Sequence, residues 1–187
     1  MNALNPPVAQ PVVLVLASGR GERFAASGGT GGKLHALLGG KPVLQHTLDA
    51  VRASGLPWHL EDRGHAGMGD SIAAAVLATQ DASGWLVLPG DLPFVRPETL
   101  RAVAEALARH AVVLPRHQGE RGHPVGFAAS CRDALLALSG PEGAASVVRA
   151  QSAQGNVVRL DLDDPGMLID IDTVQDLAAA ERRLASR

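Results

Sequence analysis

The chain has 187 residues, with 17 lysines and arginines against 19 aspartates and glutamates, a formal net charge of −2. That length fits one domain, and the near balance of charge excludes the global basic field by which nucleic-acid binders attract their ligand. Hydrophobic residues make up 46% of the chain but aromatics only 3%, so alanine, valine and leucine must fill the core, and the lone Cys131 excludes an intramolecular disulfide.

In chain order, residues 1–10 carry Pro6, Pro7 and polar neighbours and read as a flexible start, and residues 11–187 read as one domain. The run PVVLVLA (11–17) is β-branched, continuous and bounded by proline and glycine, the pattern of a buried parallel strand. It is too short for a signal h-region or a membrane span, and MNALNPPVAQ lacks a basic n-region, so a soluble, cytoplasmic protein with no membrane partner is expected. A glycine-rich loop from Ser18 to about Gly32 follows, of which AASGGTGG (25–32) reads as a flexible insert. In KPVLQHTLDAVRASG, Leu44, Thr47, Leu48 and Val51 recur at helical spacing, and Gly55 stops the helix. PWHLE (57–61) is a short strand leading to the turn RGHAGMG, and Ser71 to about Gln80 is helical. WLVLPGD is a second buried strand. PETLRAVAEALARH is a helix entered at Pro97, and AVVLP a third strand. A polar loop, 116–122, precedes a strand in HPVGFAA. Short helices are expected over 130–138 and 142–151, strands in VVRLDL and MLIDI, and a final helix from Val174 to about Ala185, with Thr173 and Asp176 as a capping box. Strands alternating with helices predict a Rossmann-like, three-layer α/β/α fold on a mainly parallel sheet.

Ligands of open α/β sheets bind at the C-terminal strand edges, which puts LASGRGERF (16–24) at the centre of attention. Gly19 and Gly21 permit positive φ and close approach of backbone N–H groups to a phosphate, and Arg20, Arg23 and Lys33 supply positive charge. A dinucleotide fingerprint fails because Phe24 stands where its third glycine belongs. A P-loop fails because Ser27 replaces its first glycine and Leu34 its Ser/Thr. The pattern L-x-x-G-x-G-x-R-[FM] followed by a lysine fits, beside the plainer reading of an ordinary glycine-rich turn.

LPGDLP places Asp91 just beyond a buried strand, aimed at the same cleft, and Asp170 ends MLIDI, with Asp172 two residues on. A hard cation such as Mg²⁺ takes carboxylate oxygens and keeps waters and substrate phosphates as its other ligands, so two carboxylates suffice. A helix-entry turn at Asp91, and capping around Asp170 and Asp172, are the plainer alternatives. His35, His46, His59, His65, His110 and His117 show no metal-ligand spacing and read as surface or packing residues. Cys131 reads as a buried thiol without an activating partner, and Trp58 and Trp85 as core or rim aromatics.

Taken jointly, LASGRGERF, KLHALLGGKPVLQHTLDAV, GMGDSI, LPGDLPFV, RGHPVGF, GAASVVRA and DIDTVQDL resemble the MobA-like NTP transferases, in the family's order and from Pro11 onward. GHPV and GAASVV are most similar to the branch of molybdenum-cofactor cytidylyltransferases. The resemblance implies a nucleotidyltransferase that moves a nucleotide, CMP from CTP in the favoured case, to a phosphorylated acceptor such as molybdopterin. It further implies a molybdoenzyme or its chaperone as a protein partner. It implies that Leu16, Ala17, Ser18, Gly19 and Gly21 hold the nucleotide, with Arg23 and Lys33 on its phosphates. Gly67 and Ser71 would lie near the base or ribose, Asp91 and Asp170 would ligate Mg²⁺, and Gly122, His123 and Pro124 would face the acceptor. His123 could equally order the turn before Pro124. The chain departs from the family in the AASGGTGG insert before Lys33. It departs again in a βα unit apparently missing between the first long helix and GMG, where the sheet must close up or lose a strand. A sugar 1-phosphate acceptor, and a non-catalytic nucleotide-binding accessory protein, are the alternative functions.

Overall fold

A computed structural model describes residues 10–19 and 21–186, so the loop position Arg20 and most of the proposed flexible start lie outside the described residues. In chain order the elements are β1 (Val12–Leu16), α1 (Glu22–Ala26), β2 (Leu37–Leu38), β3 (Lys41–Pro42), α2 (Val43–Ser54), β4 (Trp58–Glu61), α3 (Met68–Ala78), β5 (Gly84–Pro89), α4 (Pro97–Ala106), β6 (Val112–His117), β7 (Glu120–Arg121), β8 (Val125–Ala128), α5 (Arg132–Leu136), α6 (Ala145–Ala153), β9 (Val157–Asp161) and α7 (Val174–Ala185). Single 3₁₀ turns stand at Ala129–Cys131 and Pro165–Leu168.

Seven strands form one sheet in the order β4-β1-β5-β8-β6-β7, with β9 also on β6. β4 and β5 flank β1 in parallel, and β9 runs parallel to β6. β8, inserted between β5 and β6, and the short β7 run against them. Alternation along β1 sorts the core into two layers, as the period-2 geometry of a strand requires. Val13 and Val15 pack with Leu48 and Val51 of α2 and Leu100 and Val103 of α4. Leu14 packs on the other face with Ile72, Ala75 and Val76 of α3, Leu135 of α5 and Val147 and Val148 of α6. The result is the expected α/β/α sandwich on a mostly parallel sheet. Trp85 and Cys131 are buried in the second layer, and Trp58 is a partly exposed rim aromatic beneath the Arg52 guanidinium, 5.5 Å from its ring centre.

Where a βα unit is expected to be missing, β4 pairs directly with β1 and is the last strand on that side among the described residues. Three further details differ from the sequence reading. MLIDI is not a strand: Pro165–Leu168 is a 3₁₀ turn and residues 169–172 are irregular, because the segment finds no ladder partner and buries Met167 and Ile171 without one. The polar loop 116–122 is the β6–β7 hairpin, turning at Gln118 and Gly119, both with positive φ. A second small hairpin, β2–β3, precedes α2. The AASGGTGG insert begins inside α1, and the Ser27 hydroxyl accepts from the Val174 N–H, so its start is tied to the last helix. The capping box of that helix forms as expected, Thr173 Oγ1 accepting from the Asp176 N–H while the Asp176 carboxylate accepts from the Thr173 N–H. Phe24, Leu38, Val43, Phe94, Ile171 and Ala180 make a third core cluster that fixes α1, the β2–β3 hairpin and α7 to one another. No described helix is long and apolar enough to cross a membrane.

Candidate active site

A cleft of about 720 Å³ lies across the C-terminal ends of β1 and β5. The chain after β1 is pinned on both sides, the Ala17 N–H donating to the Glu61 carbonyl (2.8 Å) and the Gly90 N–H to the Leu16 carbonyl (2.9 Å). Gly21 adopts φ 63° and starts α1, a conformation that explains a glycine there. Gly19 does not have positive φ, and nothing lies within 4 Å of where its Cβ would be, so the cleft floor is open above it.

Of the residues expected to bind a nucleotide, Leu16, Ser18, Gly19, Gly21, Arg23, Lys33, Gly67 and Ser71 line this cleft, whereas Ala17 does not and has its N–H taken by the Glu61 carbonyl. The Ser18 and Ser71 hydroxyls are 2.6 Å apart and join the loop to the start of α3. Gly67 is a packing requirement, since a Cβ there would meet the Gly140 backbone at 2.3 Å.

The carboxylates converge. Asp91 is 8% exposed, and its Oδ2 lies 2.5 Å from Lys33 Nζ. The same ammonium is 2.5 Å from Asp172 Oδ1, and Arg23 Nη1 is 2.5 Å from Asp172 Oδ2. Burial works against the Lys33 ammonium, but Asp91 and Asp172 outweigh it and hold its pKa above the ordinary lysine value. Burial likewise works against the Asp172 carboxylate, and Lys33 and Arg23 reverse that to hold its pKa low. Asp170 behaves oppositely: partial desolvation in the cleft, then the charges of Asp91 and Asp172, push its carboxyl up. The Ile171 N–H donates to the Asp91 carbonyl (3.1 Å), which joins the strand-end aspartate to the segment carrying Asp170 and Asp172.

Asp91 Oδ1 is buried and has no hydrogen-bond partner. An anionic oxygen left so costs free energy, and a cation coordinated there removes the cost. No three His, Cys, Asp or Glu side chains cluster as a metal set among the described residues. Asp91 and Asp170 both line the cleft, and a hard cation needs no more than one or two protein carboxylates when phosphates and water supply its other ligands.

The opposite wall is Glu120, Arg121, Gly122 and His123, with Met167 and Leu168 behind. Gly122 packs on Met167, whose Cγ would be 2.6 Å from an added Cβ. His123 lines the cleft with Nδ1 buried and unpartnered, and burial, then the Arg121 charge, hold its pKa below the ordinary histidine value. Pro124 is buried behind this wall and does not line the cleft. Arg121 lines the cleft without an ion pair to any described residue, and burial lowers its pKa.

The sequence reading missed a cluster on the β4 side, where His59 and His65 passed as surface or packing residues. Glu61, whose side chain is 1% exposed, ends β4 and accepts from Arg63 Nε and Nη2 (3.1 Å each) and His65 Nε2 (3.0 Å), with His59 Nε2 at 3.4 Å. His65 also lines the cleft. Burial alone would raise the Glu61 pKa, but these donors bring it down to about 2. A carboxyl whose folded pKa is depressed stabilises the fold fully above the unfolded value, 4.5, and loses that contribution as pH falls from there through about 2. Glu61→Gln is therefore expected to cost about 1.5–3 kcal/mol at pH 7. In urea titrations the gap to the unsubstituted protein should narrow between pH 4.5 and 3. A gap independent of pH would show that the charge on Glu61 contributes nothing.

A family model described as the MobA-like NTP transferase domain matches residues 49–156, more than half of the chain. The chain belongs to the MobA-like NTP transferase family. Within that family's reach, the bifunctional protein GlmU of Xanthomonas axonopodis pv. citri is 32% identical over 146 residues, 65% of this chain and 30% of that one. Across the GlmU relatives the chain spans 25% to 37% of their length. Two solved structures share the fold. Rv0371c of Mycobacterium tuberculosis, determined as a manganese complex, is 22% identical with a TM-score of 0.66, covering 92% of this chain and 98% of that one. Molybdopterin-guanine dinucleotide biosynthesis protein A of Archaeoglobus fulgidus is 20% identical with a TM-score of 0.63, covering 94% and 100%.

Proposed function

We propose that this MobA-like domain is a Mg²⁺-dependent nucleotidyltransferase that transfers CMP from CTP to a phosphorylated acceptor, with molybdopterin the favoured acceptor and pyrophosphate the product. The observation that carries the reading is the unpartnered, buried Asp91 Oδ1 beside the Lys33 ammonium, in a cleft floored by the Gly19–Gly21 loop. Asp91 and Asp170 would hold the metal, which when bound neutralises phosphate charge in the transition state. In the reaction an acceptor phosphate oxygen bonds to the α-phosphorus, the bond from that phosphorus to the pyrophosphate oxygen breaks, and pyrophosphate leaves with the electron pair. The attacking oxygen is already anionic, so positioning and charge neutralisation suffice and no protein base is required. Lys33 and Arg23, paired with Asp172 in the free protein, are the cations placed to take up phosphate charge. Arg121 and His123 stand on the wall left for the acceptor.

A manganese-bound relative of the same fold supports the use of a divalent ion, and a molybdopterin-guanine dinucleotide protein of the same fold supports the acceptor class. A molybdoenzyme or its chaperone would receive the product. A sugar 1-phosphate acceptor is the second reading, favoured by the direct β4–β1 pairing that alters the sheet edge. The converging Asp91 and Asp170 speak against a non-catalytic accessory protein.

Thermal unfolding with millimolar CTP, GTP, ATP or UTP, each with and without Mg²⁺, tests this. Ligand at about 100 times its Kd adds about 2.7 kcal/mol, roughly 5–10 °C for a domain of this size. CTP with Mg²⁺ should give the largest shift. A shift with GTP or UTP alone changes the nucleotide and keeps the chemistry. Absence of a shift with all four would overturn the nucleotide-binding reading.

A further inference from the structure

Sheet order divides the cleft. Asp91 stands at the end of β5 beside β1, and the wall of Glu120, Arg121 and His123 lies beyond it toward β6 and β7. With phosphates over the β1 loop at Lys33 and Asp91, the flank left for the nucleobase is the other one, between the end of β4 and the start of α3. His65, Ala66, Gly67, Met68 and Ser71 line it.

We propose that His65 selects the nucleobase, accepting a hydrogen bond from an exocyclic amino group and so favouring cytosine over uracil. The inference rests on the nucleotide-binding reading above. Its basis is the way Glu61 holds the ring. The carboxylate is buried and ionised and can only accept, so the hydrogen between it and His65 sits on Nε2. Arg63 meets the Glu61 charge with two hydrogen bonds of its own. A neutral ring with hydrogen on Nε2 presents Nδ1 as a lone-pair acceptor. Nδ1 takes no hydrogen bond from any described residue and is not among the buried unpartnered atoms, so it is open to a ligand in the cleft. Cytosine carries an amino group where uracil carries a carbonyl. The first donates to Nδ1, and the second sets two acceptors against each other.

Glu61 thus acts through His65 as a positioning residue, fixing both the ring and its tautomer, as a carboxylate does for a ligating histidine. Glu61 is at the same time the backbone partner of Ala17, so the residue that orients His65 also braces the β1 loop.

Calorimetric titration of the full chain with CTP and with UTP, in Mg²⁺, tests the proposal. CTP should bind at least about tenfold more tightly than UTP, the worth of one well-made hydrogen bond over one mismatched. His65→Ala should bring the two within about twofold, by weakening CTP and relieving the mismatch with UTP, so that UTP binding kept at or above its original affinity shows the variant to be folded with its phosphate site intact. Glu61→Gln, which frees the tautomer, should lower the ratio in the same direction. Equal binding of CTP and UTP by the unsubstituted protein, binding confined to purines, or a ratio unchanged in His65→Ala would each overturn the role of His65 and leave nucleotidyl transfer standing. Failure of every nucleotide to bind would overturn both.

Discussion

Asp91→Ala is expected to lower pyrophosphate release by about 10³- to 10⁴-fold, which corresponds to roughly 4–5.5 kcal/mol of transition-state stabilisation. The size follows from its position. Asp91 is nine-tenths buried, its Oδ1 has no partner among the described residues, and its Oδ2 holds Lys33, so on the proposed mechanism one substitution removes a metal carboxylate and one of the two anchors of the Lys33 ammonium. The fold should not suffer with it. The substitution removes one ion pair but also an unpaired buried oxygen, so the melting temperature should stay level or rise. Steady-state turnover against Mg²⁺ concentration, read beside a melting curve, separates the two effects. Full turnover by Asp91→Ala would remove this residue from the metal site. Asp170→Asn should act in the same direction and more weakly, because Asp170 is the more open of the two and its own carboxyl is already pushed toward the protonated form.

How much of this was legible in the sequence depends on how local each signal is. The place of Asp91 in the cleft was legible because a buried strand and a following turn lie within one short motif, and strand ends in α/β sheets face the ligand edge. The positive φ of Gly21 and the Thr173–Asp176 capping box are equally local and form as expected, whereas Gly19 does not take the positive φ expected of it. The role of Asp172 was not legible. Its two ion pairs join positions 139 and 149 residues apart, and only the docking of α7 on α1 brings them together. Glu61 and His65 were hidden for a related reason. HLEDRGH has no metal-ligand spacing, and what makes Glu61 a buried hub is that β4 takes the place beside β1, a pairing that the seven residues themselves do not show. A glutamate closing a short strand immediately before a glycine-rich turn is the signal that could have flagged it. The misread MLIDI shows the converse. An apolar run reports burial, and burial there is met by a 3₁₀ turn and an irregular segment against Phe94 and the sheet, with no ladder. The antiparallel sense of β8 is also invisible in HPVGFAA, since alternation carries no direction.

The second large effect concerns stability and reaches the site from outside it. Asp164 is 2% exposed and its carboxylate accepts from the Gly166 N–H (2.8 Å), the Arg96 N–H (2.9 Å) and Thr99 Oγ1 (2.7 Å). These bonds tie the start of α4 to the 3₁₀ turn that leads into Asp170. Gly166 passes so close to the Phe94 carbonyl that an added Cβ would lie 1.9 Å from its oxygen. Asp164→Ala leaves two backbone donors and a hydroxyl without partners in a closed space, each costing about 1–3 kcal/mol less whatever water recovers, so a loss of roughly 3–5 kcal/mol is expected. For a domain of this size that is a fall of about 6–20 °C in melting temperature. Activity measured well below the new midpoint should fall too, by about tenfold, because the turn no longer holds Asp170 at its place in the cleft. Asp164→Asn keeps one acceptor oxygen and should recover part of both losses. A melting temperature unchanged in Asp164→Ala would mean that the Ile171–Asp91 backbone bond and the cluster around Phe94 hold the segment by themselves. The two carboxylates would then be aligned by packing, with Asp164 a bystander.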